Sequence, residues 1–169
     1  FALPYVTGAD GRMQLVTGHP SGARVIVDYA HTPDALRAAL SALRPEAKGR
    51  LAVLFGAGGD RDPGKRSMMG KVAQNGADLV YVTDDNPRSE DPGDIRKAIL
   101  DGCRDAVEIA DRGAAITAAL GELSAEDVLL IAGKGHENFQ LVGDETLPFS
   151  DSSVARNAIK RLTSEGGAG

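Results

Sequence analysis

Short runs of apolar residues alternate with amphipathic segments along most of this chain. The runs are almost continuously apolar, which is typical of strands buried on both faces of a parallel sheet. The four strongest runs are Arg24–Val27, Leu51–Phe55, Leu79–Thr83 and Val128–Ala132. Because such a sheet needs helices on both faces, the sequence predicts an α/β fold that is Rossmann-like, with a mainly parallel sheet of about six strands.

The segments between these runs carry signals for helices and for shorter strands. Residues suited to capping a helix N-terminus precede the amphipathic segments. The predicted N-caps are Thr32, Asp91, Asp111, and either Ser150 or Asp151. A further helix is predicted from Pro63 or Gly64 to about Asn75, with Gly76 as the left-handed residue that follows it. Weaker strands are predicted at Met13–Thr17 and Val107–Ile109, and a hairpin at Phe139–Val142 and Thr146–Phe149.

The length of 169 residues predicts one domain with a substantial core. Residues 1–12 are rich in turn formers and are predicted to be an interdomain linker. Residues 13–163 are predicted to form the domain, with its last helix ending at Leu162, and residues 164–169 a flexible tail. The chain starts at Phe1 without a signal peptide, so we expect an excised piece of a longer protein.

Composition argues against several classes of protein. Lys and Arg number 19 against 24 Asp and Glu, a net charge of −5, so nucleic acid and anionic membranes are not expected partners. No apolar stretch approaches the ~18 residues of a membrane span. Cys103 is the single cysteine, which excludes an internal disulfide, suits the cytoplasm and predicts a packed, inert thiol.

Four polar loops follow the four strongest strands. They are 28–34, 56–66, 84–88 and 133–137. The carboxyl ends of parallel strands meet at one edge of the sheet, where open α/β sheets bind their ligands. Each loop taken alone is equally consistent with an ordinary turn whose charged side chains are in solvent. Together they predict a binding site.

Loop 84–88 carries the most specific chemistry. Arg88 can hold a carboxylate, whereas Asp85 or Asn86 can accept from an ammonium group. A ligand with both groups is an amino acid. Pro87 fits the tight turn that this placement requires.

Loop 56–66 resembles two nucleotide-binding motifs and satisfies neither. A P-loop needs Ser or Thr where Arg66 stands, and a dinucleotide fingerprint needs glycine where Arg61 stands. What remains is a glycine-rich turn that brings Arg61, Lys65 and Arg66 to a helix start. Arg61 there is suited to binding a carboxylate with two hydrogen bonds.

The ordered set of four loop motifs resembles one family. DYAHTPDA (28–35), GGDRD-x-GKR (58–66), DDNPR (84–88) and AGKGHE (132–137) are together similar to the C-terminal domain of the Mur ligases. The resemblance covers nearly the whole chain, from about Gly11. It is strongest to the branch that adds meso-diaminopimelate to UDP-N-acetylmuramoyl-L-alanyl-D-glutamate.

The resemblance implies an ATP-dependent ligase of peptidoglycan synthesis, and thus a role in cell shape and division. This domain would hold the incoming amino acid and close over ATP. The residues implied for meso-diaminopimelate are Arg61, Asp85, Asn86, Pro87, Arg88, Gly133 and Glu137, and those implied for ATP are Arg12, Asp28 and His31. The P-loop and most Mg²⁺ ligands would lie in the central domain, and the UDP end of the substrate would bind the N-terminal domain. The chain alone is then expected to hold no catalytic residue or metal ligand and to be inactive; the whole protein would be a cytoplasmic monomer.

Arg88 favours meso-diaminopimelate over lysine. Diaminopimelate has a second carboxylate that lysine lacks, and lysine-adding relatives usually lack an arginine at this position. A site built around that carboxylate rejects a ligand without it, because the guanidinium stays unpaired. Other hypotheses remain open: a lysine-adding ligase, a folylpolyglutamate-synthetase-like domain that takes glutamate, or a stand-alone nucleotide-binding module.

Overall fold

The computed structural model describes residues 12–166, which form a sheet of six strands, a separate hairpin and five α-helices. The strands are β1 Gln14–Val16, β2 Arg24–Asp28, β3 Leu51–Phe55, β4 Leu79–Val82, β5 Val107–Glu108, β6 Val128–Ala132, β7 Phe139–Val142 and β8 Glu145–Pro148. The helices are α1 Pro33–Leu43, α2 Gly64–Gly76, α3 Pro92–Leu100, α4 Arg112–Gly121 and α5 Asp151–Gly166, and a 3₁₀ turn, Arg44–Glu46, follows α1.

The sheet has the order β1-β2-β6-β3-β4-β5. Strands β2 to β6 run parallel to their neighbours, and β1 pairs antiparallel with β2 at the edge. The predicted fold class is therefore confirmed. The strands β2, β3, β4 and β6 end at the same edge of the sheet, so the four polar loops emerge side by side.

Side chains of each strand alternate between two apolar clusters, one on each face of the sheet. Ile26, Val53 and Leu130 pack with α1, α2 and α3 in the first cluster. Their chain neighbours Val25 and Leu129 pack with α4 and α5 in the second. Both faces are thus covered, which explains why the strands are apolar throughout.

The predicted helix starts are confirmed where their caps were identified by residue type. The Thr32 hydroxyl accepts from the backbone of Ala35, and the Asp111 carboxylate accepts from that of Ala114. The Asp91 carboxylate accepts from two backbone N–H groups of the first turn of α3. These bonds satisfy donors that a helix start leaves without partners.

The predicted ends of two helices are wrong. Gly76 is the last helical residue of α2 rather than a left-handed residue beyond it, and Ala77 follows in extended conformation. A side chain on Gly76 would meet Leu40 Cδ1 at 3.0 Å, so glycine here allows α2 to pack closely on α1. Helix α5 continues past Leu162 to Gly166, because no glycine or proline interrupts it earlier.

The predicted linker lies outside the described residues except for its last residue, Arg12, which is exposed. The predicted tail begins inside α5, since residues 164–166 are helical. None of the helices within residues 12–166 has the length and apolar character to cross a membrane.

Candidate functional site

A cavity of about 490 Å³ opens where the four polar loops meet. Each loop contributes to its wall, as expected for loops that follow parallel strands at one edge of the sheet. The predicted site residues on the wall are His31, Arg61, Asp85, Asn86, Arg88, Gly133 and Glu137. The wall therefore combines guanidinium groups with carboxylates, which is the arrangement a zwitterionic ligand needs.

Hairpin β7–β8 fixes the backbone of loop 84–88. The Gln140 side-chain amide donates to the Asp85 carbonyl at 2.7 Å, and the Arg88 N–H donates to the Leu141 carbonyl at 3.0 Å. Gly143 N donates to the Arg88 carbonyl at 2.7 Å. Arg88 itself has a φ of 54°, a left-handed conformation that is unfavourable for a residue with a side chain. The hydrogen bonds from the hairpin stabilise this conformation and so determine the position from which the Arg88 side chain extends.

The guanidinium of Arg88 is held against loop 56–66 instead of extending into solvent. Its Nη1 donates to the Gly59 carbonyl at 3.0 Å. Gly59 N in turn donates to the Asn86 carbonyl at 2.8 Å, so the two loops interlock. Pro87 lies behind the cavity wall, where its carbonyl contacts Gly59 so closely that a side chain on Gly59 would overlap it.

Lys134 is the residue that sequence reasoning most clearly missed. If its loop were an ordinary turn, Lys134 would be expected in solvent, yet it is completely buried. Its Nζ lies 2.8 Å from Asn86 Oδ1, 3.2 Å from Asp85 Oδ1 and 3.7 Å from Glu137 Oε1. A fourth contact, of 3.1 Å, is to the Phe139 carbonyl. The signal in the sequence was a lysine between two glycines directly after a buried strand; both glycines have positive φ values.

These contacts determine which atom Asn86 presents to the cavity. Asn86 Oδ1 accepts from Lys134 Nζ and from Leu141 N at 2.9 Å, which occupies both of its lone pairs. The amide nitrogen Nδ2 faces Glu137 Oε1 at 3.5 Å. The side chain of Asn86 therefore offers a donor, whereas Oδ1, the atom predicted to accept from the ammonium of a ligand, already accepts from Lys134 and Leu141.

Asp85 and Glu137, the two acids of the wall that were predicted to bind the ligand, differ in how far their carboxylates are engaged. Asp85 is buried and paired with Lys134, and Gly133 leaves room for it: a side chain on Gly133 would meet Asp85 Oδ2 at 2.8 Å. Gly133 also has a φ of 114°, which only glycine adopts readily. Glu137 is more exposed than Asp85 and sits farther from Lys134. Of these two carboxylates, Glu137 therefore has the greater capacity to accept from a ligand.

Loop 56–66 supplies the remaining positive charge. Arg61 is exposed, and its Nη1 donates to the neighbouring Asp60 carbonyl at 3.0 Å. Arg66 is buried and paired with Glu90, whose pKa is lowered by hydrogen bonds from Arg66 and from the Asp60 backbone. The Nε of Arg66 is buried and has no hydrogen-bond partner among residues 12–166. Arg61 is thus free to turn toward a ligand, whereas Arg66 is held in place.

Of the three residues predicted to contact ATP, His31 lines the cavity, whereas Arg12 and Asp28 do not. His31 is exposed at its rim, and its ring packs edge-on against Tyr29 with centroids 4.7 Å apart. Asp28 binds backbone instead: its carboxylate accepts from Met13 N at 2.8 Å and from Ala30 N at 2.9 Å. Since Arg12 directly precedes Met13, Asp28 fixes the segment that carries Arg12.

A third buried cation, Arg112, is bonded to the backbone beside two of the loops. Arg112 and Asp151 are both completely buried and form a two-bond ion pair. Arg112 also donates to the carbonyls of Asp84 and Ala132, at the ends of β4 and β6. Burial opposes the charged form of Arg112, yet attraction and hydrogen bonding to Asp151 outweigh it and raise its pKa. The sequence signal was an arginine at the first position of a helix, where the helix dipole disfavours a positive charge.

Residues 12–166 contain no group of three or more His, Cys, Asp or Glu side chains arranged to hold a metal ion. Lys134 Nζ lies within 4 Å of both the Asp85 and the Glu137 carboxylates.

Comparison with known proteins gives a consistent result. The family description "Mur ligase, glutamate ligase domain" matches residues 11–135. The UDP-N-acetylmuramoyl-L-alanyl-D-glutamate–2,6-diaminopimelate ligase of Bradyrhizobium diazoefficiens is 58% identical over 94% of this chain and 32% of its own length. The ligase of the same name from Chelativorans is 52% identical over 96% of the chain and 34% of its length. The chain thus spans about a third of these relatives.

Solved structures agree with the sequence relatives. A structure of a ligase with that same name superposes with a TM-score of 0.84 at 41% identity, covering 95% of this chain and 33% of the other. A bifunctional folylpolyglutamate synthase/dihydrofolate synthase from Yersinia pestis superposes with a TM-score of 0.60 at 20% identity, covering 92% of this chain and 32% of the other. The second likeness shows a shared fold.

Proposed function

Since this chain belongs to the Mur ligase family, as its four loop motifs predicted, we propose that it is the amino-acid-binding domain of a meso-diaminopimelate-adding ligase. The whole protein would join meso-diaminopimelate to UDP-N-acetylmuramoyl-L-alanyl-D-glutamate during peptidoglycan synthesis, using ATP. Relatives 52–58% identical carry that name, which supports this assignment over a folylpolyglutamate-synthetase-like one. The observation that carries the proposal is the cavity at the meeting point of the four loops.

The chemistry of the cavity fits this amino acid. Its volume lies within the ~300–1,000 Å³ of small-molecule sites. Meso-diaminopimelate has two carboxylates and two amino groups. Arg61 and Arg88, helped by Asn86 Nδ2, would bind the carboxylates, and Glu137, Asp85 and the Gly133 carbonyl would accept from ammonium.

Arg88 is proposed to select for diaminopimelate over lysine. Its hydrogen bond to the Gly59 carbonyl and the backbone bonds from the hairpin hold Arg88 in one place. A guanidinium fixed in this way cannot move to solvent when a ligand brings no carboxylate, so the mismatch is costly. Pro87 contributes by shaping the turn rather than by touching the ligand.

ATP and Mg²⁺ are proposed to bind mainly to the central domain, with this domain closing over the nucleotide. ATP supplies the phosphoryl group that activates the acceptor carboxylate. The exposed side chains of Arg12 and His31 fit contact with a nucleotide, while Asp28 would act by holding the Arg12 segment. Closure would exclude water from the activated acid. The chain alone would be inactive, and the whole protein a cytoplasmic monomer.

Turnover by the full-length protein tests the proposal. We expect ATP-dependent addition of meso-diaminopimelate to the UDP-linked dipeptide, with far lower kcat/KM for lysine and for glutamate. The isolated chain, given the same mixture, should release no phosphate. Equal or better use of lysine or glutamate would contradict the assignment, as would phosphate release by the isolated chain.

A further inference from the structure

We propose that Lys134 is a positioning residue of the amino-acid site: it helps to fix Asn86 as a hydrogen-bond donor and offsets part of the negative charge of Asp85 and Glu137, without touching the substrate. This inference rests on the proposed function. Lys134 does not line the cavity, and its side chain is completely buried. Its effect on a ligand must therefore pass through the residues it holds.

The contacts of Lys134 belong to the site and to the hairpin that supports it. Nζ donates to Asn86 Oδ1 at 2.8 Å and to the Phe139 carbonyl at 3.1 Å, and it pairs with Asp85 Oδ1 at 3.2 Å. It thereby ties together loop 84–88, loop 133–137 and the first residue of β7. An ammonium has three protons to donate, and these three partners are close enough to take them.

A buried lysine is an inefficient way to obtain stability alone. Removing an ammonium from water costs several kcal/mol, and replacing a buried ion pair by apolar side chains is often neutral or stabilising. The arrangement here has a further effect that an apolar side chain lacks. Together with Leu141 N, it occupies Asn86 Oδ1, so that Nδ2 faces Glu137.

Lys134 also sets the charge of the wall. Without it, Asp85 and Glu137 would lose the one cation that contacts both of them. Repulsion between the two carboxylates would then be less balanced and would move them apart. Such a movement would displace an acceptor from the place where the ammonium of the ligand binds.

The test uses the full-length ligase with Lys134→Met, which keeps the length of the side chain but removes charge and donors. Lys160→Met is the matched control, since Lys160 is an exposed lysine on α5. For each protein, kcat and the KM values for meso-diaminopimelate and ATP are measured, together with the Tm. We expect the KM for meso-diaminopimelate to rise at least ~10-fold in Lys134→Met, the KM for ATP to change less than ~2-fold, and the control to match wild type.

The outcomes separate the hypotheses. A merely structural role would lower the Tm and the active fraction, and hence kcat, but leave the KM for meso-diaminopimelate unchanged; that result overturns the inference. If Lys134→Met does not fold, Lys134→Arg is used, because it keeps the charge but cannot reproduce all three contacts in a fully packed site. An unchanged KM for meso-diaminopimelate in that variant also overturns the inference. Failure of the wild-type protein to use meso-diaminopimelate would instead contradict the proposed function.

Discussion

Arg112 and Asp151 form an ion pair in which neither side chain reaches solvent, with Nε–Oδ1 and Nη2–Oδ2 distances of 2.7 and 2.8 Å. The pair joins the starts of α4 and α5. Through the carbonyls of Asp84 and Ala132, it also fixes the ends of the two strands from which loops 84–88 and 133–137 emerge. This ion pair therefore contributes both to the stability of the fold and to the positions of the two loops.

Arg112→Met should lower the free energy of unfolding by about 3–5 kcal/mol, because it leaves the Asp151 carboxylate buried without a partner. Urea unfolding of the chain measures this loss. Arg156→Met, at an exposed position of α5, is the control and should change stability by less than ~0.5 kcal/mol. Similar stability of the two variants would show that the pair contributes little.

Arg88→Asn should reduce the preference for meso-diaminopimelate over lysine. Asparagine is chosen because it tolerates the left-handed conformation of Arg88 while removing the guanidinium. The ratio of kcat/KM values for the two amino acids should fall by a factor of ~100 or more, within the ~10⁴ that such polar mismatches can cost. Arg104→Asn, at an exposed position outside the cavity, should leave the ratio unchanged. An unaltered ratio in Arg88→Asn would show that Arg88 does not determine the choice between the two amino acids.

Gly59→Ala should impair use of the amino acid, because the new methyl group would overlap the Pro87 carbonyl and push the two interlocked loops apart. A displacement of about 1 Å at a binding site can cost ~100-fold in kcat/KM, which is the size of loss we expect for meso-diaminopimelate. Gly121→Ala is the control, since a side chain there meets no atom within 4 Å. Normal kinetics in Gly59→Ala would show that the loops can move apart without consequence.

Asp78 should make stability depend on pH in the acid range. Hydrogen bonds from Arg44 and the Leu51 backbone lower the pKa of Asp78 from 3.8 to about 2. A lowered folded-state pKa stabilises the protein above the unfolded value, and this contribution is lost as the pH falls from 3.8 toward 2.

The Asp78 carboxylate is more than a third exposed, so screening limits the contribution to about 1 kcal/mol. Unfolding of Asp78→Asn across this pH range should therefore show a smaller loss than wild type. Asp105→Asn, at an exposed position, should follow the wild-type curve. Identical curves for Asp78→Asn and wild type would contradict the prediction.

Cys103 should react slowly with disulfide reagents. Its side chain is buried, and burial raises its pKa from 9.0 to about 11. At pH 8 this lowers the thiolate fraction about 100-fold, and the thiolate is the reacting form. The chain has no other cysteine, so one absorbance change reports on this thiol, and the same chain in denaturant gives the reference rate. Comparable rates in the folded and unfolded chain would mean that Cys103 is accessible.

The sequence by itself determined the layers of the fold and the edge of the sheet where the site lies. Strands such as Leu51–Phe55 and Val128–Ala132 are apolar on both faces, and a parallel sheet between two helix layers is the arrangement that buries them. Helix starts at Thr32, Asp91 and Asp111 were equally predictable, because capping is a local interaction. Helix ends were less predictable, because they depend on contacts between distant parts of the chain, such as the close approach of Gly76 to Leu40.

Only the tertiary structure decided which hydrogen bonds and ion pairs the polar and charged groups of the site form. Lys134 and Asn86 are 48 residues apart, and Arg112 and Asp151 are 39 apart. Whether a lysine is buried or exposed, and whether an asparagine offers its oxygen or its nitrogen, depends on which partners the fold brings within about 3 Å. Composition and spacing place these residues in loops and helix starts. The energy of a hydrogen bond or ion pair depends on distance and burial, which exist only once the strands have been brought side by side.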